Sequence, residues 1–406
     1  MANSTDSADW YQNQVVFLTG ATGSLGGCLL YKLAVQLPTV KIFVLCRGSV
    51  RKAMEKWEAS MPEQIDDIFD TGKVQCLIGD ITQPIFGLEK REIEALQQEV
   101  TVVIHAAASL SLFQDLLGTI QINCLPVISL ARMLLSFQNI KALLHVSSIS
   151  ALSFLSQDSL FERLENVSSD EESPEKQLAD ILATGQSPYT ELFMSPYAQA
   201  KYLAEKLVLN LQTPFRVLII RPSSIGPAIQ IPYPLYGPDG AIPIHTFAHL
   251  LIEGGKYRNF QDVMRVPQNM IMDEIPVDVV SNACLLHLSV GSTGIVHAGS
   301  QLYATLTVGG YISQLQRHLS KDLSDKVNRL QLAKNMDFVD QADELLGRIS
   351  REWKIDCERS KALEATNGPI DLPLAGRDFD DFVDRRIQQQ IRRFDAWADT
   401  LMPAQG

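Results

Sequence analysis

Apolar residues in the first half of the chain fall into short dense runs separated by longer amphipathic stretches. The runs lie at 15–18, 41–45, 74–78, 102–106, 142–146 and 216–220. They are rich in Val, Ile and Leu and lack clean alternation with polar residues, the pattern of strands buried on both faces of a parallel sheet. Between them, segments such as 25–37, 49–59, 120–137 and 197–211 read as helices. Strand and helix in alternation predict an α/β fold, a doubly wound parallel sheet with right-handed crossovers.

Two stretches interrupt the pattern. Residues 157–194 are polar and acidic, with Asp170, Glu171 and Glu172 at their centre. They predict a surface excursion, partly helical or mobile. From about Ala228 the chain turns proline- and glycine-rich, then helical. Beyond Ser300 it is charged and helix-forming, ending in 379–401. There Val383, Ile387, Ile391, Phe394 and Ala398 share one helical face, which packs on the main body or, as the less simple reading, on a partner. Phe154 and Leu155 read as core or as the lining of a pocket. The division expected is 1–227, carrying the 157–194 insertion, and a smaller, mostly helical region at 228–406, with 274–300 returning to the first core.

At 406 residues the chain suits one large α/β domain with an appendage, or two domains. A formal net charge of -12 argues against nonspecific nucleic-acid binding and leaves room for a local basic pocket. The cysteines, Cys28, Cys46, Cys76, Cys124, Cys284 and Cys357, form no CxxC pair and sit mostly in apolar runs. They read as buried thiols in a reducing compartment, with no disulfide and no metal site expected. MANSTDSADW lacks the apolar core of a signal peptide, and no apolar run reaches the length of a bilayer span. The location expected is cytoplasmic.

The chemistry begins at 15–33, VVFLTGATGSLGGCLLYKL. An apolar run, three glycines and an amphipathic segment in that order make a strand, a tight turn and a helix. Gly20, Gly23 and Gly26, with Thr22, Ser24 and Leu25 between them, would cradle a dinucleotide pyrophosphate against the helix N-terminus. The second run ends in Cys46 and Arg47, with Arg51 and Lys52 beyond, and offers no carboxylate for a ribose hydroxyl. An arginine there pairs with a 2′-phosphate, which favours NADPH over NADH. Asp80 and Ile81, after the third run, would meet the adenine, or Asp80 only caps a turn. Ala106 and Ala107, after the fourth, leave room for ribose and pyrophosphate, or pack helix on sheet.

Tyr197 and Lys201 lie four apart in SPYAQAKYLAEKLV, on one helical face. Ser147 and Ser148 end the run ALLHVSS, at the sheet edge where open α/β folds place ligands. Carbonyl reduction requires a hydride to carbon and a proton to oxygen. Tyrosine can give the proton, a nearby ammonium favours its phenolate, and a serine hydroxyl can hold the substrate oxygen.

TGATGSLG, GDI, HAAAS, Asn123, VSS, YAQAK and RPSSIGP together resemble the extended short-chain dehydrogenase/reductase superfamily over about residues 15–299. Within it the chain is similar to the branch of fatty acyl-CoA reductases and terminal thioester reductase domains. That likeness rests on Arg47, GDITQPIFGLEKREIEAL, RPSSIGPAIQIPYPLYGPDGAIP and DEIPVDVVSNA. The resemblance implies a Rossmann-type NADPH-binding domain at 1–227 and a substrate-binding region at 228–406. It implies that Ser148 holds the substrate oxygen, Tyr197 gives the proton and Lys201 partners it. Tyr197 and Lys201 would also touch the cofactor, Asn123 would order both, directly or through water, and Pro222 and Ile225 would line the nicotinamide. Leu125 and Pro126 replace the usual Gly-Thr after the asparagine, implying a differently shaped helix start.

The function expected is NADPH-dependent reduction of an acyl thioester, carried on coenzyme A or a carrier protein, to aldehyde and on to alcohol if a second hydride is used. No nucleic acid and no membrane span are expected, and the oligomeric state is open. The alternatives are a ketone or aldehyde reductase or epimerase of a free small molecule, and a noncatalytic cofactor sensor.

Overall fold

A computed structural model of the chain describes residues 7–111, 114–156, 159–237, 268–304, 306–323, 353–363, 368–372 and 379–401. The strands, in chain order, are β1 (Val15–Thr19), β2 (Lys41–Cys46), β3 (Val74–Ile78), β4 (Val102–His105), β5 (Ala142–Val146), β6 (Ser159–Leu160), β7 (Arg216–Pro222), β8 (Ser224–Gly226), β9 (Ile271–Met272), β10 (Glu274–Pro276), β11 (Gly294–Ala298), β12 (Leu306–Thr307) and β13 (Lys354–Ile355). The helices are α1 (Ser24–Tyr31), α2 (Val50–Ser60), α3 (Ile65–Asp70), α4 (Lys90–Glu99), α5 (Leu116–Asn123), α6 (Leu125–Met133), α7 (Pro174–Thr184), α8 (Pro196–Asn210), α9 (Val277–Ser289), α10 (Val308–His318), α11 (Glu358–Lys361) and α12 (Asp380–Leu401).

The six apolar runs and β11 form one seven-stranded sheet in the order β11-β7-β5-β4-β1-β2-β3, every pairing parallel. β1 pairs with β2 on one side and β4 on the other, so the chain reverses its winding there and opens a crevice at the carboxyl ends of the strands. The runs do not alternate because both faces are covered. Val16, Leu18, Ile42, Val44, Leu144 and Ile220 pack under α1 and α9. Phe17, Phe43, Val103, Leu143 and Ile219 pack under α4, α5, α6 and α8.

The helix read at 120–137 begins earlier and breaks. Pro126 has no N–H for the preceding turn, and its ring crowds the carbonyl there. α5 therefore ends at Asn123 and α6 starts afresh at Leu125. Together with the turn after them, these helices make the stretch Leu116–Ser136. It is long and apolar enough to cross a bilayer, which corrects the expectation that no run reaches that length. Its Leu116, Ile120, Val127, Leu130 and Leu134 are spent on the sheet and α8, as in the core helix of a folded domain.

The acidic insertion is partly helical, through α7. Its central carboxylate turns inward. Glu171 accepts hydrogen bonds from Tyr202 Oη (2.7 and 2.8 Å) and Lys206 Nζ (2.7 Å) on α8. Phe154 joins Phe193 and Tyr202 in an aromatic cluster beside that latch, and Leu155 packs on the main core. β6 pairs with β13, so the insertion also meets the C-terminal part. In that part, Phe382, Val383, Ile387, Ile391 and Phe394 of α12 pack against Val308, Tyr311, Ile312 and Leu315 of α10. The side chain of Ala398 and the helix-forming stretches at 238–267 and 324–352 lie outside the described residues. Arg386 of α12 forms a buried bidentate pair with Glu274 of β10, with Nη2–Oε2 at 2.8 Å. All six cysteines are free thiols, five of them buried and Cys76 half-buried.

Candidate active site

The glycine turn is built on close approach. Gly20 has φ +79, and a Cβ there would lie 2.6 Å from the backbone of both Ala106 and Ala107. What Ala106 and Ala107 contribute at this corner is thus their backbone. A Cβ on Gly26 would run into the carbonyl of Gly20. Gly23 donates its N–H to that carbonyl (2.9 Å) and stands at the N-cap of α1, where no side chain caps the helix. The first N–H groups of α1, from Ser24, Leu25 and Gly26, are left to an anion. Trp57, buried on α2, donates from Nε1 to the carbonyl of Ala21 (2.9 Å), and Tyr236 donates its hydroxyl to the carbonyl of Ser24 (3.0 Å). These two aromatics brace the turn from behind; Thr22 lies in sequence between the two residues whose carbonyls they hold.

Arg47 is exposed at the end of β2. Asp80 faces it after β3. Burial alone would raise the Asp80 carboxyl, but the N–H and hydroxyl of Thr82 (2.9 and 2.8 Å) and the Arg47 charge hold it below the usual range. Ile81 is half-buried beside it. The cradle without Cβ atoms, the uncapped helix start and the cation at the neighbouring strand end fit a nicotinamide dinucleotide lying across the crevice.

On the other side of the switch point, α8 is set by its own first turn. Ser195 caps it by accepting from Ala198 N–H (3.2 Å), and Pro196 supplies a preset φ at the start. Tyr197, Lys201 and Glu205 then repeat at four-residue spacing along one face. Tyr197 is half-buried, with its phenol close enough to the Ser148 hydroxyl to feel it. Burial pushes its phenol well above the ordinary value, and the Ser148 hydroxyl opposes that shift. Lys201 is buried; its Nζ donates to the carbonyl of Val146 (2.8 Å) and lies 5.8 Å from the Tyr197 ring centroid. Burial lowers its ammonium to about 8, with Glu205 and Cys124 opposing. Beneath it, His105 and His145 stack at 5.6 Å, and burial with the Lys201 charge keeps both imidazoles neutral.

Asn123 is buried at the end of α5. Its amide is spent on the loop after β4, accepting from Ser109 N–H (2.9 Å) and donating to Ser109 carbonyl (3.0 Å). Lys201 is oriented by the hydrogen bond it donates to the carbonyl of Val146. Pro222 ends β7, and Ile225, in β8, is half-buried against the main core.

The sequence reading missed a charge network behind these residues. Glu205 and Arg221 form a fully buried pair, with Arg221 Nε at 2.9 and 3.1 Å from the two carboxylate oxygens. Ser147 donates to the same carboxylate, so the two adjacent serines divide: Ser147 faces inward and Ser148 faces Tyr197. Arg221 also donates to Arg163 carbonyl in the insertion (3.1 Å) and to His297 Nε2 (3.3 Å). Arginine only donates, so His297 carries its proton on Nδ1, which donates to Asp356 carbonyl (2.9 Å). One signal could have found this: an arginine inside VLIIRP, a strand buried on both faces, requires a partner. Asp278, in IPVD, was read only as part of a signature. Its carboxylate accepts from the N–H groups of Ile229, Gln230 and Ile231 (3.1, 2.9 and 3.2 Å), which ties the proline-rich loop to α9.

Fold and site define a nicotinamide-dinucleotide-binding α/β domain with a Ser-Tyr-Lys constellation at its crevice. The chain belongs to the NAD-binding family described as "Male sterility protein", whose model matches residues 18–284. It is 27% identical over 330 residues to fatty acyl-CoA reductase 1 of Xenopus laevis, covering 74% of this chain and 59% of that protein. Against fatty acyl-CoA reductase 1 of Mus musculus it is 27% identical over 304 residues, covering 68% and 55%. The chain thus spans little more than half the length of these relatives. Among solved structures, the fold is similar to the terminal R domain from the myxalamid PKS-NRPS biosynthetic pathway, with TM-score 0.64 at 19% identity over 95% of this chain and 91% of that one. It is also similar to the reductase domain of a nonribosomal peptide synthetase from Mycobacterium tuberculosis, with TM-score 0.63 at 16% identity over 98% and 97%.

Proposed function

We propose that the chain is an NADPH-dependent reductase of acyl thioesters presented on coenzyme A or a carrier protein. The observation that carries this reading is the pairing of Ser148 and Tyr197 at the carboxyl edge of the sheet, across the switch point from a turn shaped for a dinucleotide. When bound, the reduced nicotinamide supplies a hydride to the thioester carbonyl carbon. Ser148 and Tyr197 hydrogen-bond the carbonyl oxygen, and Tyr197 passes its proton there as charge develops. Its raised pKa suits this direction, because the phenol stays protonated until the oxygen beside it becomes the stronger base. The hemithioacetal then returns its hydroxyl proton to the Tyr197 phenolate as the C–S bond breaks, releasing aldehyde and a thiolate that takes its proton from solvent. A second hydride would carry aldehyde to alcohol. Lys201 holds a positive charge beside the developing anion below about pH 8. No cysteine nucleophile enters the scheme.

Arg47 supports NADPH over NADH as the cofactor, because it stands exposed where a 2′-phosphate would lie. The relatives named as fatty acyl-CoA reductases support a thioester substrate.

Incubation with NADPH and a panel of acyl-CoA and acyl-carrier thioesters is expected to consume cofactor and give aldehyde or alcohol by mass spectrometry. No consumption across the panel overturns the reading. In the same assay Arg47→Ala is expected to weaken NADPH binding about tenfold and leave NADH binding unchanged, the loss of one exposed charge-assisted contact. Equal losses for both cofactors would remove Arg47 from the phosphate site.

A further inference from the structure

Ser148 opens the short helical turn Ile149–Leu152, with extended backbone at φ -157 and ψ 148. Its Oγ accepts the N–H of Ser150 at 3.2 Å, and the hydroxyl of Ser150 lies 2.9 Å from the same atom. A serine hydroxyl has one proton and two acceptor sites. With the N–H of Ser150 on one site and its O–H on the other, Ser148 cannot turn its proton back into the turn. The proton is left for what faces it, the Tyr197 oxygen and the reacting carbonyl. The reverse arrangement, Ser148 donating to Ser150, would spend that proton and leave the substrate oxygen one donor short.

We propose that Ser150 is a positioning residue of the active site, whose hydroxyl donates to Ser148 Oγ and so fixes Ser148 as a donor to the substrate oxygen. This rests on the reading of Ser148 given above. Ser150 acts only through Ser148. A donor behind a donor also polarises the second, so the Ser148 proton becomes a stronger hydrogen-bond donor as charge grows on the carbonyl oxygen. The backbone N–H alone holds the oxygen in place but leaves the hydroxyl rotor free. The second serine removes that freedom before substrate arrives, in line with the general advantage of groups that need no reorganisation in the transition state. In sequence the device is S-I-S at a strand end, and the helical turn brings the two hydroxyls to one side.

The test uses the full chain with NADPH and whichever acyl-CoA of the panel turns over fastest. Ser150→Ala is expected to lower kcat about tenfold, the size of one neutral hydrogen bond, with KM and the NADPH dissociation constant within about twofold. Ser150→Thr keeps the hydroxyl and is expected to restore most of the rate. Because Ser150 works through Ser148, the Ser148→Ala, Ser150→Ala double variant is expected to be no slower than Ser148→Ala alone. Losses that multiply in the double variant, or Ser150→Ala at full rate, overturn the proposal. A Ser148→Ala variant at full rate overturns the role of Ser148 itself, and no turnover by the unsubstituted chain overturns both. If Ser150→Ala does not fold, Ser150→Thr compared with Ser150→Val decides, since these two differ in the hydroxyl and little in shape.

Discussion

The two sides of the crevice are made of different materials. On the β1–β2 side the dinucleotide corner is backbone: glycines without Cβ atoms, uncapped N–H groups, and aromatic donors that reach only main-chain carbonyls. On the β5–β7 side the reacting groups hang from side chains tied into buried charge, from Ser147 through Glu205 and Arg221 to His297. The first side is governed by space and the second by electrostatics. Substitutions on the two sides should therefore fail in different ways.

The largest effects test that division directly. Gly26→Ala pushes a Cβ into the Gly20 carbonyl, which is backbone and has nowhere to yield. NADPH binding, followed by fluorescence titration, is expected to fall by about a hundredfold or more, the loss of several phosphate hydrogen bonds together. Tyr197→Phe is expected to do the reverse. Turnover should drop by about 10²–10⁴, the range for a general acid, with cofactor affinity within about twofold. If Tyr197→Phe weakens cofactor as much as Gly26→Ala does, the two sides are not separable.

Next in size is the charge pair. Glu205→Gln leaves Arg221 buried opposite a neutral group, and removing one partner of a buried pair costs about 3–5 kcal/mol. Thermal melting should show that loss. Replacing both, as in Glu205→Gln with Arg221→Met, should recover part of it, since two uncharged groups demand no desolvation of ions. A double variant as unstable as the two single losses summed would mean that the residues act independently. No counterpart of this experiment exists at the glycine corner, where no charge pair is buried among the described residues.

The same division explains what could be read from the chain beforehand. Glycine spacing at 20, 23 and 26 is a local pattern, because the turn needs those residues at those offsets wherever it occurs. The strands were visible because β1, β2, β4 and β5 are covered on both faces and so are dense in apolar residues. β11 was not read as a strand, only as part of a segment returning to the core. Ser148, Tyr197 and Lys201 could be proposed because strand end and helix face are also local rules. The arginine inside VLIIRP announces that a partner is needed, but neither Glu205 as that partner nor the pairing of Glu274 with Arg386 could be named, since the pairs join residues 16 and 112 positions apart. Nothing in the spacing of such pairs tells a pairing from a coincidence. The inward turn of Glu171 escaped for the same reason. In sequence it stands between Asp170 and Glu172 as one acid among three, and its contacts with distant Tyr202 and Lys206 on α8 distinguish it.

The smallest effect is in pH, and it asks whether the electrostatic side behaves as one. Burial lowers the Lys201 ammonium from 10.5 to about 8, and Glu205 and Cys124 resist the shift. Lys201 is charged below its pKa and neutral above. A step that uses the charge should therefore have a kcat/KM flat at lower pH and falling through the region near 8, by about tenfold between pH 7 and pH 9. Tyr197 cannot supply this limb, because burial moves its phenol upward, away from that range. Glu205→Gln removes a group that raises Lys201, so the limb should move to lower pH when measured below the variant's melting temperature. Gly26→Ala, on the other side of the crevice, should weaken binding without moving it. A limb near the ordinary lysine value would mean that Lys201 is not desolvated as its contacts require. A limb near 8 that ignores Glu205 would mean that burial alone sets it, and the network would then be structural in its effect on the lysine.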